Sequence, residues 1–143
     1  LLDCLKERLG CEAGDITLGS LMVSDQIGDG SSREQAASCQ KVLGGFANLA
    51  NAYSTKRYRS NLINWGLLPL RTEEKLRVPV GQYLLVPDVR KALENGESRI
   101  KLQVICPEDG RAEREISCTL DELTEDERQI LLAGCLMNYY RQG

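Results

Sequence analysis

The feature that most constrains the fold is an apolar run that leads through a glycine turn into a helix. The run from Leu18 to Val23 predicts a short strand that ends near Ser24–Asp25. Gly28 and Gly30 then allow backbone angles that other residues resist, which predicts a tight turn. Gln35-Ala-Ala opens a helix directly afterwards. A strand followed at once by a helix favours an α/β architecture for this part of the chain.

Two serines and an arginine lie between the turn and the helix. Ser31 with Glu34, or Ser32 with Gln35, fits the capping-box pattern. Either register places Ser31, Ser32 and Arg33 at a helix N-terminus, where the first amides lack partners and the dipole favours negative charge. A guanidinium beside those amides favours a binding site for a carboxylate or phosphate. The local pattern alone favours a plain helix cap over an anion site, and both interpretations stay open here.

Composition disfavours several classes of protein. The net charge of −3 gives no support for a nucleic-acid partner. No apolar run approaches the ~20 residues of a membrane helix, and no signal peptide is visible, so we expect a cytoplasmic protein without membrane contact. The chain has no histidine, which removes Ser-His or Cys-His catalysis carried by this chain alone.

The cysteines stand at positions 4, 11, 39, 106, 118 and 135. No pair has Cys-x-x-Cys spacing, so local motifs predict neither a zinc site nor a complete iron–sulfur site. Their number allows a disulfide framework, but a domain of this size does not need one. We expect free, mostly buried thiols in a reducing compartment.

The remaining patterns predict interleaved helices and strands. Helices are predicted over 1–9, from about 32 to 43, and over 54–65, 89–94 and 124–140. Strands are predicted over 82–86, 99–105 and 114–119, with a charged surface connector over 71–77. Residues 46–52 are predicted to form either a buried strand or a short turn. Early interleaving with a late antiparallel hairpin predicts one α/β domain over residues 1–143, built as a compact mixed sheet with packed helices.

Three segments resemble the aconitase superfamily, and they occur in the family's order. Residues 28–37, Gly-Asp-Gly-Ser-Ser-Arg-Glu-Gln-Ala-Ala, are similar to its Gly-x-Gly-Ser-Ser-Arg-Glu-His-Ala-Ala loop. Residues 61–70 resemble its Asn-x-x-x-x-Gly-Leu-Leu-Pro-Leu segment, and the last helix with Ala-Gly-Cys-Leu-Met-Asn at 133–138 provides the third match. The resemblance implies the swivelling β/β/α fold of the C-terminal domain of an aconitase-like hydratase, or of the small subunit that replaces it in split enzymes.

The resemblance also implies a reaction, the removal and addition of water on hydroxy polycarboxylic acids. In the family a [4Fe-4S] cluster acts as Lewis acid on the substrate hydroxyl, while a swivel-domain serine takes the proton from carbon. By position in the motif, Ser31 matches that base, and Ser32 and Arg33 match residues that hold a substrate carboxylate. The cluster is expected on other domains or on a large subunit, with none bound by this chain.

Two features depart from the family pattern. Gln35 stands where many members have histidine. The family's further substrate arginine, expected before the loop, has no counterpart here except Arg8, which lies in an unrelated setting.

Two further alternatives remain open. A non-catalytic interaction or regulatory module could keep the fold and an anion-binding loop without any chemistry; cluster cysteines in neighbouring sequence would favour the enzyme. The cations Lys56, Arg57 and Arg59 indicate a solvated helix face or, less favoured, contact with an acidic partner domain.

Overall fold

The computed structural model describes residues 1–142. Within them, six strands form one sheet: β1 (Ser20–Ile27), β2 (Gly45–Tyr53), β3 (Leu68–Arg71), β4 (Tyr83–Leu85), β5 (Arg99–Ile105) and β6 (Ala112–Thr119). The α-helices of the same residues are α1 (Leu2–Leu9), α2 (Glu34–Val42), α3 (Lys56–Asn64), α4 (Val89–Glu94), α5 (Glu125–Ala133) and α6 (Leu136–Gln142). None of the helices described is long and apolar enough to traverse a bilayer.

The first half of the chain forms the parallel part of the sheet. β1 pairs with β2 and β2 with β3, both in parallel, with α2 and α3 as the connections between them. Parallel strands require such crossover connections, because a tight hairpin can join only antiparallel strands. The carboxyl ends of β1, β2 and β3 therefore meet at one edge of the sheet.

The second half forms the antiparallel part. The order across the sheet is β1-β2-β3-β6-β5-β4, so β3 and β6 join the two halves. The backbone register at this junction is the single pair Arg71–Thr119. Side chains reinforce it: Arg71 Nε donates to Asp121 Oδ1 at 2.8 Å, and Thr72 Oγ1 donates to the Ser117 carbonyl at 2.8 Å. The predicted mixed sheet with packed helices is confirmed.

Two apolar clusters stabilise the molecule. The larger one fills the space between the sheet and the helices α4 and α5 and includes Leu49, Leu70, Leu102, Ile116 and Ile130. The smaller one lies between α2, α3 and the carboxyl end of β1, and it consists of Ala37, Tyr58, Leu62 and Leu67 with Ile27, Tyr53 and Trp65 packed against them. Burial of such side chains stabilises the fold by roughly 1.5–3 kcal/mol each.

The terminal helix differs from the prediction. It begins with a capping box, which the pattern Thr124-x-x-Glu127 predicts: Glu127 N donates to Thr124 Oγ1 at 3.2 Å, and Thr124 N donates to Glu127 Oε2 at 2.9 Å. However, the expected helix over 124–140 is two helices, because Gly134 takes a left-handed conformation (φ 90°) and ends α5. After this break, Met137 is 71% exposed, although helical spacing continued from α5 would direct it towards the core.

The thiols and the first strand also differ from expectation. All cysteines are free, as predicted, but Cys118 alone is buried among them and Cys39 is exposed. β1 continues past Ser24–Asp25 to Ile27, because β2 supplies pairing partners as far as Tyr53.

Gly66 provides a test of how the two halves of the chain meet. It follows α3 with φ 69°, and a Cβ there would overlap the carbonyl of Gly134. Gly44 has a similar φ of 83° but open space around it. We expect Gly66→Ala to lower the free energy of unfolding by about 3 kcal/mol, from backbone strain plus overlap, and Gly44→Ala by about 1 kcal/mol from strain alone. Urea denaturation measures both; equal losses would contradict the close contact.

Candidate functional site

The serine loop, residues 28–33, leaves the carboxyl end of β1 and leads into α2. Gly28 (φ 85°) and Gly30 (φ 97°) confirm the predicted tight turn. Arg33 also has a positive φ of 56°, which is uncommon for a residue with a side chain. The loop lies where ligands commonly bind in α/β sheets, outside the carboxyl ends of the parallel strands.

The predicted capping boxes at the serines are wrong. α2 begins at Glu34 and its N-cap residue is Arg33, with no side-chain capping bond. The left-handed backbone at Arg33 turns the chain, so Ser31 and Ser32 lie before the helix and both are exposed. The carboxylate of Glu34 accepts a hydrogen bond from Trp65 Nε1 at 3.2 Å instead. The first amides of α2 consequently have no side-chain cap.

Arg33 is held by backbone rather than by a carboxylate. Its Nε donates to the Asp29 carbonyl, and the guanidinium curls over Gly30, where a Cβ would lie 2.9 Å from Nη2. Among residues 1–142, no ion pair involves Arg33, and its side chain is exposed. The positive charge therefore stands next to the uncapped start of α2 without a neutralising partner in that part of the chain.

A row of buried, hydrogen-bonded polar side chains packs against the serine loop. The Tyr58 ring lies against Gly28, where a Cβ would overlap it. Asn48 Nδ2 donates to Tyr58 Oη at 3.0 Å, and Gln40 Nε2 donates to Asn48 Oδ1. Burial raises the pKa of Tyr58, while the Asn48 hydrogen bond and the charge of Arg33 act in the opposite direction. Hydrogen bonding of this kind is what makes buried polar side chains tolerable.

Two residues of the α3 segment also touch the serine loop. Asn61 Nδ2 donates to the Ser32 carbonyl at 2.6 Å, and Thr55 Oγ1 donates to the Gly28 carbonyl at 3.4 Å. Sequence reasoning did not assign either contact. The available signal was the position of Asn61 as the first residue of the 61–70 segment that resembles the aconitase pattern.

The basic residues of α3 do not form a continuous patch. Arg59 is partly buried, pairs with Glu127 Oε1 at 3.4 Å and donates to the Leu120 carbonyl at 3.1 Å, so it joins α3 to the C-terminal part of the fold. Lys56 and Arg57 are exposed. The expectation of a solvated face holds for these two, whereas Arg59 is structural.

A cleft of about 1020 Å³ lies away from the serine loop, on the antiparallel half. Its lining mixes cations such as Arg71 and Lys101 with carboxylates such as Glu74 and Glu97, which gives no preference for one sign of ligand. Cys118 also lines it, and burial, with a smaller effect of Glu74, raises the pKa of this thiol to about 12. A thiol with so high a pKa is a poor nucleophile, so we assign no chemical role to Cys118.

Metal ligands are not gathered in this part of the protein. Within residues 1–142, no three side chains of His, Cys, Asp or Glu lie together in a way that could hold a metal ion. The donor set described here therefore does not fit an iron–sulfur cluster, which requires several cysteine thiolates at one place.

Comparison with known proteins identifies the family and the fold that this chain resembles. Residues 17–75 match the model of the aconitase C-terminal domain, a range that contains β1, the serine loop and α3. The crystal structure of 3-isopropylmalate dehydratase (LeuD) from Methanocaldococcus jannaschii DSM2661 is similar at a TM-score of 0.62 and 25% identity, covering 91% of this chain and 68% of that one. A search of curated protein sequences gives no significant match. The family resemblance and the expected fold are confirmed.

Tyr53, which packs against the smaller apolar cluster, makes the stability of the fold sensitive to high pH. Its hydroxyl donates to the carbonyls of Asn48 (3.1 Å) and Leu70 (3.0 Å), and burial raises its pKa well above the ordinary value of 10. Above pH ~10 the unfolded chain loses this proton while the folded chain keeps it, so stability falls as pH rises.

We therefore expect the free energy of unfolding to fall above pH ~10 by up to about 1.4 kcal/mol per pH unit from this group. Tyr53→Phe should make the decline shallower, while differing from the parent by a constant amount below pH ~9. Chemical denaturation across the pH range measures both curves. Parallel curves throughout would contradict the assignment.

Proposed function

We propose, from the similarity of residues 17–75 to the aconitase C-terminal domain, that residues 1–143 form the swivel domain of an aconitase-like hydro-lyase. The same domain also occurs as the separate small subunit of a split dehydratase, and the proposal covers both arrangements. The reaction is the dehydration and rehydration of a hydroxy polycarboxylic acid. Support comes from the matched segment 17–75 and from the similarity to a 3-isopropylmalate dehydratase.

The observation that carries the proposal is the make-up of the serine loop. Ser31 and Ser32 are exposed, Arg33 has no carboxylate partner within the part of the chain described, and α2 starts without a side-chain cap beside them. We assign Ser31 as the base that takes the proton from carbon. A serine is a weak base unless its alkoxide is stabilised, and the helix amides with the neighbouring guanidinium supply a field of the required sign.

Ser32 and Arg33 are assigned to a substrate carboxylate. A guanidinium can donate two parallel hydrogen bonds to a carboxylate, which fixes orientation as well as charge. In this arrangement Asp29 supports Arg33 through its backbone carbonyl and leaves the terminal nitrogens for the ligand.

The rest of the active site is assigned to a partner. A [4Fe-4S] cluster would supply Lewis acidity towards the substrate hydroxyl, and we place it on cluster-bearing domains of the same protein or on a large subunit, in the cytoplasm. The serine loop is open to solvent, as expected for one wall of a site that a second body completes. The binding partners are thus that second body and a small polycarboxylate, with neither nucleic acid nor membrane.

Anion binding by the chain itself is the first test. We expect inorganic sulfate to shift the backbone amide resonances of residues 33–35, because the uncapped helix start and Arg33 favour negative charge at that place. Arg33→Ala should abolish the shift, and Arg111→Ala, at an exposed arginine of the β5–β6 turn, should leave it unchanged. Titration followed by two-dimensional NMR measures the effect. Equal losses in both variants would indicate non-specific attraction.

Kinetics of the full assembly form the second test. Ser31→Ala should lower the turnover number about 10²–10⁴-fold while changing substrate binding little, because a base acts on the proton in the transition state. Arg33→Lys should mainly weaken binding, since lysine keeps the charge but loses the two-pronged geometry. Ser38→Ala, at a serine within α2 whose hydroxyl donates to the Gln35 carbonyl, is the matched control and should leave turnover unchanged.

Thermal melts of the same variants separate the enzyme from the non-catalytic module. A serine with only a structural role would show its loss as lower stability, with turnover per molecule intact. A Ser31→Ala enzyme that turns over normally would end the catalytic assignment.

A further inference from the structure

One face of the α3 segment is directed at the serine loop and the start of α2. Thr55, Tyr58, Asn61 and Trp65 follow each other at intervals of three, three and four residues, which places them on one side of a helix. Each of them contacts the loop or the residue after it: the Gly28 carbonyl, the Gly28 backbone, the Ser32 carbonyl and the Glu34 carboxylate, respectively. The loop is therefore laid along α3.

The loop's own contacts stabilise its shape but do not attach it to the fold. Gly30 N donates to Asp29 Oδ1 at 2.9 Å, and Arg33 Nε donates to the Asp29 carbonyl, both within the loop. Attachment by side-chain hydrogen bonds to loop carbonyls comes, in the residues described, from Asn61 at 2.6 Å and Thr55 at 3.4 Å. Thr55 also caps α3 by accepting from Tyr58 N, so Asn61 makes the shorter and more dedicated contact.

The Asn61 hydrogen bond has a consequence for the next amide. In a trans peptide the carbonyl and the following N–H point in opposite directions across a rigid plane. With the Ser32 carbonyl directed at Asn61, the Arg33 amide points away from α3. The peptide plane between Ser32 and Arg33 directly precedes the left-handed backbone of Arg33. The orientation of this plane therefore fixes the direction in which the loop enters α2.

We propose that Asn61 is a positioning residue: its carboxamide holds the Ser32 carbonyl and thereby orders the serine loop against α3. The ordering of the loop does not depend on the reaction, whereas any effect on Ser31 and Arg33 as active-site groups rests on the function proposed above. Asparagine suits this task because it is neutral and can donate. Aspartate has the same shape but only accepts when ionised, so it would oppose the carbonyl.

The decisive experiment measures backbone order parameters by NMR on the isotopically labelled chain. The parent should show rigid amides over 29–34, near the value of about 0.85 typical of ordered backbone. Asn61→Ala and Asn61→Asp should lower these values towards about 0.6, with the larger loss for Asp. Asn61→Gln keeps the donor and should lie closer to the parent than Asp does. Asn64→Asp makes the same charge change on the same helix and should leave the loop ordered.

Sulfate titration of the same samples tests the consequence for the site. The two Asn61 variants that lose the donor should bind sulfate about threefold to tenfold more weakly, the range expected for one hydrogen bond. Unchanged loop order parameters in Asn61→Ala and Asn61→Asp would overturn the inference even if the parent binds sulfate and the full enzyme is active. A loop that loosens equally in Asn64→Asp would also overturn it. Failure of the proposed function would instead appear as normal turnover in Ser31→Ala.

Discussion

The contact between the Tyr58 ring and the backbone at Gly28 is the constraint on which the site depends. The ring occupies the space that any side chain at position 28 would need, so β1 can turn directly above the buried cluster. Asn48 donates a hydrogen bond to the hydroxyl of the Tyr58 ring, and Gln40 donates one to Asn48. Three successive elements of the parallel half, α2, β2 and α3, thus meet beneath one turn, and loop geometry becomes a property of the core.

Elements with strong local signals could be predicted from the sequence. The hairpin β5–β6 followed from alternation with a turn at 107–110, and α4 from helical spacing ended by Asn95-Gly96. The strand, turn and helix around the serines were also predicted in the correct order. Such segments are specified by neighbouring residues in the sequence, so hydrophobic periodicity and turn residues are enough to predict them.

Features decided by distant residues could not be predicted. Arg33 takes a left-handed backbone directly after a carbonyl that accepts a hydrogen bond from Asn61 of α3, so the local capping pattern at Ser31 and Ser32 was misleading. The break at Gly134 coincides with close packing against Gly66, and a glycine within an apolar helical pattern does not show this on its own. Arg59 has the sequence pattern of a surface cation, but it pairs with Glu127 and donates to the Leu120 carbonyl, both distant in sequence. Tertiary contacts overrode local preference in each case.

The contact of Gly66 with Gly134 has a consequence for biosynthesis. Chains emerge from the ribosome with the N-terminal part first, and domains fold as units while synthesis continues. The parallel half, including the serine loop, is complete in sequence by Arg71, yet the end of α3 meets its neighbour only when residue 134 has been added. Until then the end of α3 stays uncovered in the nascent chain. A product truncated before α5 would keep this helix end uncovered, and it would also lack Ile130 and Leu131 of the larger apolar cluster.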